Sequence, residues 1–290
     1  MKDILRPIYQ ERASQANTLG VLIIEKNKPV SPVTDNFDVI LLVIANEADQ
    51  PWYVKHYEFD DKKAAMHIVD EELLTYWIDT STYRRAVEWV INGRIVFDRN
   101  EYVAKLKEEL SSFPQEKREL KMAMEFAKLT RSYSESKDLY QTEQYLDAYS
   151  RVIRSLHYLA RLAIIEKGYH PEVVVWNQVK RIDIEVYKLY EELINSHEEI
   201  KKRVELMLLA LEFAMSTRAK KCATHLLEIM HSKQDAWTFG ELKIHPDIEP
   251  YALDLSSMLE YLTEKGIIEP VREETKGKMI YHRKYKAMPV

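Results

Sequence analysis

Two aspartates stand at the mouth of a very apolar run in SPVTDNFDVILLVIA, residues 31–45. Metal-assisted phosphoryl transfer needs two carboxylates on one strand face, and because side chains alternate with period two, the requirement is acid, spacer, acid. The residues at that spacing are Asn36, Phe37 and Asp38, so the first position carries an amide. Asp35 lies one residue earlier and would point to the other face of a regular strand unless a β-bulge turned it inward. A lone carboxylate holds Mg²⁺ weakly, since that ion takes one or two carboxylates with substrate phosphates and sheds water reluctantly.

Other chemistries find less support. The six glycines, at 20, 93, 168, 240, 266 and 277, are too scattered for a phosphate-cradling loop, so the Walker and dinucleotide fingerprints are both absent. Cys222 is the only cysteine, which rules out an intramolecular disulfide and a cysteine-built zinc site and fits a reducing compartment. His56 and His67 lie on adjacent expected strands, yet none of the nine histidines has zinc-binding spacing, and no G-x-S-x-G elbow exists for hydrolysis. A net charge of −5 gives no global attraction to nucleic acid or anionic membrane. The N-terminus carries early charges, no segment is apolar enough to span a bilayer, and the expected location is cytoplasmic.

The elements that must position Asp38 are legible in the pattern of apolar residues. A short amphipathic helix through Ile4, Ile8 and Ala13 precedes Gly20 and a buried strand, VLIIEK; DVILLVIA is a second strand of the same kind. WYVKHYEFDD and AAMHIVD predict a hairpin. Asp70 stands as an N-cap, with Glu71 and Glu72 in the first turn of the helix it opens. A helix over 82–91, a short strand RIVF and a helix over 101–113 follow, ending at Pro114.

From Pro114 onward the period is helical almost throughout, which predicts an antiparallel bundle whose Met, Leu, Tyr and Ala stripes are core. Near Trp237 it changes to helix, helix and hairpin, the order of a winged helix. The expected architecture is α+β in three parts: a mixed sheet with helices over 1–113, a bundle over 114–235 and a winged helix over 236–290.

The stretch VLIIEKNKPVSPVTDNFDVILLVIA, residues 21–45, followed by a hairpin, a helix opening DEELL and the WVINGRIVFDRN segment, resembles the nucleotidyltransferase superfamily that includes the aminoglycoside nucleotidyltransferases and the polymerase β palm. The resemblance implies NMP transfer from an NTP to an acceptor hydroxyl, with Mg²⁺ on Asp38 and Asp35, Asn36 at the first acidic position and Lys26 as a phosphate contact. It also marks departures. Glu25 and Lys26 stand where the family has Gly-Ser, and the third carboxylate is expected at Met66 or His67, neither of them an acid. Impaired or lost transfer is the leading reading, and an active divergent enzyme using Asp35 and Asp38 is the other.

The bundle is similar to the substrate-binding domain that follows this catalytic fold. In RVIRSLHYLARLA, Arg151, Arg154 or Ser155, Tyr158 and Arg161 fall at three- and four-residue steps, so Arg154, Tyr158 and Arg161 could form a basic, aromatic face for a nucleotide or another anion; a solvated stripe is the plainer reading. Tyr169, His170, Trp176 and Asn177 could line a cleft or form a helix connection. In the last part the recognition helix offers Asp254, Ser256, Ser257, Glu260, Thr263 and Glu264, while the cations gather in the wing and tail at Arg272, Lys276, Lys278, Arg283, Lys284 and Lys286. Duplex DNA docking needs positive charge along its whole surface. A protein partner or a domain contact therefore stands beside DNA as the ligand of 236–290, and a non-catalytic regulatory protein is the rival to an enzyme.

Overall fold

A computed structural model describes residues 2–277 and 279–288, and its contacts divide the chain into two compact units: Met1–Pro114 with His170–Val174, and Gln115–Tyr169 with Val175–Val290. The first unit runs α1 (Lys2–Ala13), β1 (Thr18–Glu25), β2 (Val39–Ala45), β3 (Trp52–Phe59), β4 (Lys62–Asp70), α2 (Glu71–Thr80), α3 (Arg84–Asn92), β5 (Arg94–Asp98) and α4 (Tyr102–Ser112). Its five strands form one mixed sheet, ordered β3-β4-β2-β1-β5, in which only β2 and β4 run parallel.

All seven residues of β2 are buried, as its unbroken apolar run requires for a central strand covered on both faces. Leu22, Ile24, Ile40, Leu42 and Ala65 face one layer, packed by α2, α3 and α4. Val21, Ile23, Val39, Leu41 and Met66 face the other, which Leu5 of α1 covers. Gly20 permits the close approach of α4, since a Cβ there would come within 2.1 Å of Val103 Cγ2. Asp70 caps α2 by accepting from the Glu72 amide at 2.9 Å, and its second oxygen accepts from the Ala48 amide at 3.0 Å. The helix expected from 82 begins instead at Arg84, because Ser81 adopts a left-handed conformation that ends α2 and the chain needs two more residues to turn.

The second unit contains α5 (Gln115–Gln141), α6 (Tyr145–Glu166), α7 (Val175–Ile182), α8 (Ile184–Asn195), α9 (Ile200–Cys222) and α10 (Thr224–His231). A three-residue link folds α6 back along α5, so that Ser132 bonds the Arg151 carbonyl and Glu125 meets Arg161. In the same unit follow β6 (Trp237–Thr238), α11 (Phe239–Lys243), a 3-10 turn (Pro246–Tyr251), α12 (Leu255–Glu264), β7 (Ile268–Glu274) and β8 (Tyr281–Ala287). The strands order as β6-β8-β7, and a reciprocal Thr238–Glu241 capping box starts α11. This is the winged-helix arrangement, and the whole chain is α+β.

Candidate functional site

Asp38 immediately precedes β2. Its carbonyl accepts from the Lys26 amide at 2.9 Å, and its amide donates to the Lys63 carbonyl at 2.8 Å, so the backbone is held between β1 and β4. The carboxylate is held as firmly. Oδ2 accepts from the Lys63 amide at 2.9 Å, and Oδ1 lies 3.0 Å from the Lys26 ammonium. The Lys63 amide, followed by the Lys26 ammonium, pulls the Asp38 pKa below the ordinary carboxylate value.

Asp35 is not on the strand, and no bulge turns it inward. Asp35 and Asn36 adopt φ of 49° and 66°, two left-handed residues in succession, and they reverse the chain before β2 begins. Short polar side chains tolerate this conformation best, and Asn36 Oδ1 accepts from the Ser31 amide at 3.3 Å. The turn delivers the Asp35 carboxylate to Arg85 on α3, which meets it with two nitrogens at 2.7 and 2.6 Å while its Nε donates to the Pro32 carbonyl at 2.7 Å. Trp89, one turn further along α3, donates to the Val33 carbonyl at 2.8 Å. Sequence reasoning missed Arg85 and Trp89 because they lie some fifty residues from the loop they hold, with no local spacing to mark the partnership.

The register of β2 with β4 corrects the expectation for the third acidic position. Val39 lies beside Ala64 and Leu42 beside His67, so the neighbour of Asp38 is Lys63. Met66 faces the opposite layer, packed with the α1 side of the sheet. His67 shares the Asp38 face but sits four residues further along. There Trp52 Nε1 donates to its Nδ1 at 3.1 Å, which leaves the hydrogen of the neutral ring on Nε2, and Trp89 packs 4.7 Å away. Burial, with a smaller contribution from His56, pushes the His67 pKa down to about 4. His56 itself packs against Phe37 at 4.7 Å. Glu25 pairs with Val39 at the edge of the other layer, so its side chain points away from Asp38 and Lys26.

The donor set bears directly on Mg²⁺. Each of the two carboxylates is directed at its own protein cation, and a divalent ion would have to displace Lys26 from one and Arg85 from the other. Among the described residues no group of three or more His, Cys, Asp or Glu could hold a metal ion. These side chains are matched to two ion pairs and do not fit a magnesium centre.

Comparison with known proteins places the architecture. A nucleotidyltransferase-like family model matches residues 1–118, a YgxA-like substrate binding domain 119–218, and a helix-turn-helix domain 224–287. The chain is 49% identical over 285 residues to the uncharacterized protein YgxA of Bacillus subtilis (strain 168), an alignment covering 98% of this chain and 97% of that one. The chain belongs to the YgxA-like family of nucleotidyltransferase-like proteins. It is also similar to a nucleotidyltransferase-like protein from Exiguobacterium sibiricum, whose crystal structure matches with a TM-score of 0.82 at 38% identity, covering 100% of both chains.

In the YgxA-like substrate binding domain, α6 does not present a free basic stripe. Arg161 donates to Glu125 of α5 at 2.8 Å, both side chains are nearly buried, and its guanidinium lies 4.8 Å from the Tyr158 ring. Arg154 is exposed and lines a shallow pocket with Leu139, Asp147, Ser150 and Arg151. Ser155 is buried, donating to the Arg151 carbonyl. The stretch around Tyr169 divides. His170 packs with the first unit, stacked on Phe113 at 4.0 Å and bonded to the Leu110 carbonyl. Trp176 stacks on Tyr190 at 3.9 Å in the second, next to exposed Asn177.

In the helix-turn-helix domain, α12 is anchored to the bundle. Asp254, just before it, meets Arg131 of α5 at 2.6 Å, Tyr261 packs against Phe126 and Tyr133, and Lys265 pairs with Glu212 of α9. The exposed positions of α12 are Ser256, Glu260 and Glu264. Arg283 of the wing is drawn to Glu260 at 2.9 Å and Lys284 to Glu273 at 2.8 Å, while Arg272 lies over the Tyr281 ring at 5.9 Å. Lys276 and Lys286 are exposed, and Lys278 lies outside the described residues.

Proposed function

We propose that this chain is a nucleotidyltransferase-like protein that has lost NMP transfer and acts as a binding or regulatory module. One observation carries the reading: Lys26 and Arg85 occupy the carboxylates that a transferase would give to its metal ions. In-line transfer depends on metal charge to stabilise the phosphates as the bond breaks. A lysine ammonium bound to its own aspartate supplies a neutral pair, and the Gly-Ser turn that would hold a triphosphate is replaced by Glu25 and Lys26. The fold retains its sheet and loses the electrostatics of the reaction. Incubation of the full chain with labelled NTPs and Mg²⁺ tests this: no labelled product or self-modified protein is expected, and Asp38→Ala leaves that result unchanged. Transfer by the native chain that Asp38→Ala abolishes contradicts the proposal.

The helix-turn-helix domain, in the same proposal, serves docking between protein surfaces. The acidic exposed face of α12 and the pairing of Arg283 with Glu260 support this, because a phosphate backbone would have to approach Glu260 and Glu264 to reach the wing. A gel-shift titration with duplex DNA is expected to show no complex at about 0.15 M salt, near the physiological ionic strength at which surface charges are screened over a Debye length of about 8 Å. A complex whose affinity falls steeply with added salt would favour DNA.

A further inference from the structure

Helix α9 is apolar on two sides, although only one of them is covered. Val204, Met207, Leu208, Leu211 and Met215 face the core, while Leu206, Leu209 and Phe213 remain 43%, 66% and 73% exposed. A helix apolar all round belongs in an interior, and three large exposed residues on successive turns make a contiguous patch, not scattered surface leucines. Seven of the exposed residues keep a strict spacing. Glu199, Lys202, Leu206, Leu209, Phe213, Ser216 and Lys220 follow steps of three and four, the seam along which one helix packs on another.

We propose that this seam is the interface of a two-fold homodimer in which α9 packs antiparallel on the α9 of a second copy. The charges at its ends select that partner and that direction. About an axis passing between Leu209 and Ala210, Leu206 meets the second copy's Phe213, and Glu199 meets the second copy's Lys220, at both ends of the seam. Lys202 is already neutralised by Glu205 of its own helix at 2.9 Å. A parallel pairing would set lysine against lysine and glutamate against glutamate. The arrangement is therefore self-complementary in the way an isologous interface requires, one patch serving both subunits. A single helix pair is at the small end of stable interfaces, so association is expected at about 10–100 μM protein.

Sedimentation of the full chain from about 1 to 300 μM tests this, with thermal melting to confirm that each variant folds. The native chain is expected to form a dimer across that range, and Leu209→Glu to remain monomeric throughout. Lys220→Glu raises the dissociation constant roughly tenfold by setting glutamate against glutamate, and adding Glu199→Lys restores it. Leu209→Cys cross-links under mild oxidation because it lies beside the axis, and Leu206→Cys does not, while native Cys222 is buried and stays out of the reaction. A native chain that is monomeric at every concentration overturns the proposal, whatever other protein the patch then captures. A dimer indifferent to Leu209→Glu, or one that Leu206→Cys cross-links as readily as Leu209→Cys, overturns it equally.

Discussion

At the scale of single residues, charge is matched locally at the mouth of β2. Asp38 is answered by Lys26 and Asp35 by Arg85, so the mouth of β2 contains two closed ion pairs. His67 has been dealt with differently, kept neutral within rings. Its folded pKa of about 4 lies below the ordinary 6.5, so between those values the unfolded chain takes up a proton that the folded chain refuses. Stability contributed by the neutral ring is complete above pH 6.5 and is lost as pH falls toward 4, by about 3 kcal/mol. Urea unfolding between pH 7.5 and 4.5 should show that decline, and His67→Phe should flatten it; an unchanged slope would show that other groups set the acid limit. The alternation of side chains made the faces of Asp38 and His67 readable from the sequence once the register was known. The Trp52 bond that sets the His67 tautomer was not, because it joins two strands through side chains that carry no spacing signal.

At the scale of elements, hydrophobic period and turn chemistry located the strands, the hairpin, the bundle and the wing with small shifts at their ends. Two features escaped. The reversal at Asp35 and Asn36 needs two left-handed residues, and only its outcome, a loop fastened to α3 by Arg85 and Trp89, explains why they are tolerated. The segment His170–Val174 joins the first unit because Val173 donates its amide to Glu88 and His170 stacks on Phe113, contacts made across about eighty and sixty residues of chain. In the second unit, Arg131 answers an almost buried Asp254 at the start of α12. Arg131→Ala should cost about 2 kcal/mol, less than the loss of a fully buried pair because Arg131 is itself partly exposed. Thermal unfolding measures that loss, and Asp254→Asn in the same background should recover much of it by removing the stranded charge. A loss in the double variant as large as in the single one would show that the pair does not anchor α12.

At the scale of the whole molecule, the chain joins a nucleotidyltransferase-like unit to a YgxA-like substrate binding domain and a helix-turn-helix, and among the described residues no helix is long and apolar enough to cross a membrane. That order was visible from length and the change of period at Pro114 and Trp237. The proposed loss of transfer was only half visible: the amide at Asn36 stood in the sequence, whereas the cation facing Asp35 required the fold. Titration of Mn²⁺, read by the electron paramagnetic resonance signal of the free ion, tests whether those carboxylates still accept a metal. The free-ion signal should be the same with and without protein through the low millimolar range, as expected where Lys26 and Arg85 hold both acids. A stoichiometric Mn²⁺ site that vanishes in Asp38→Ala would contradict it.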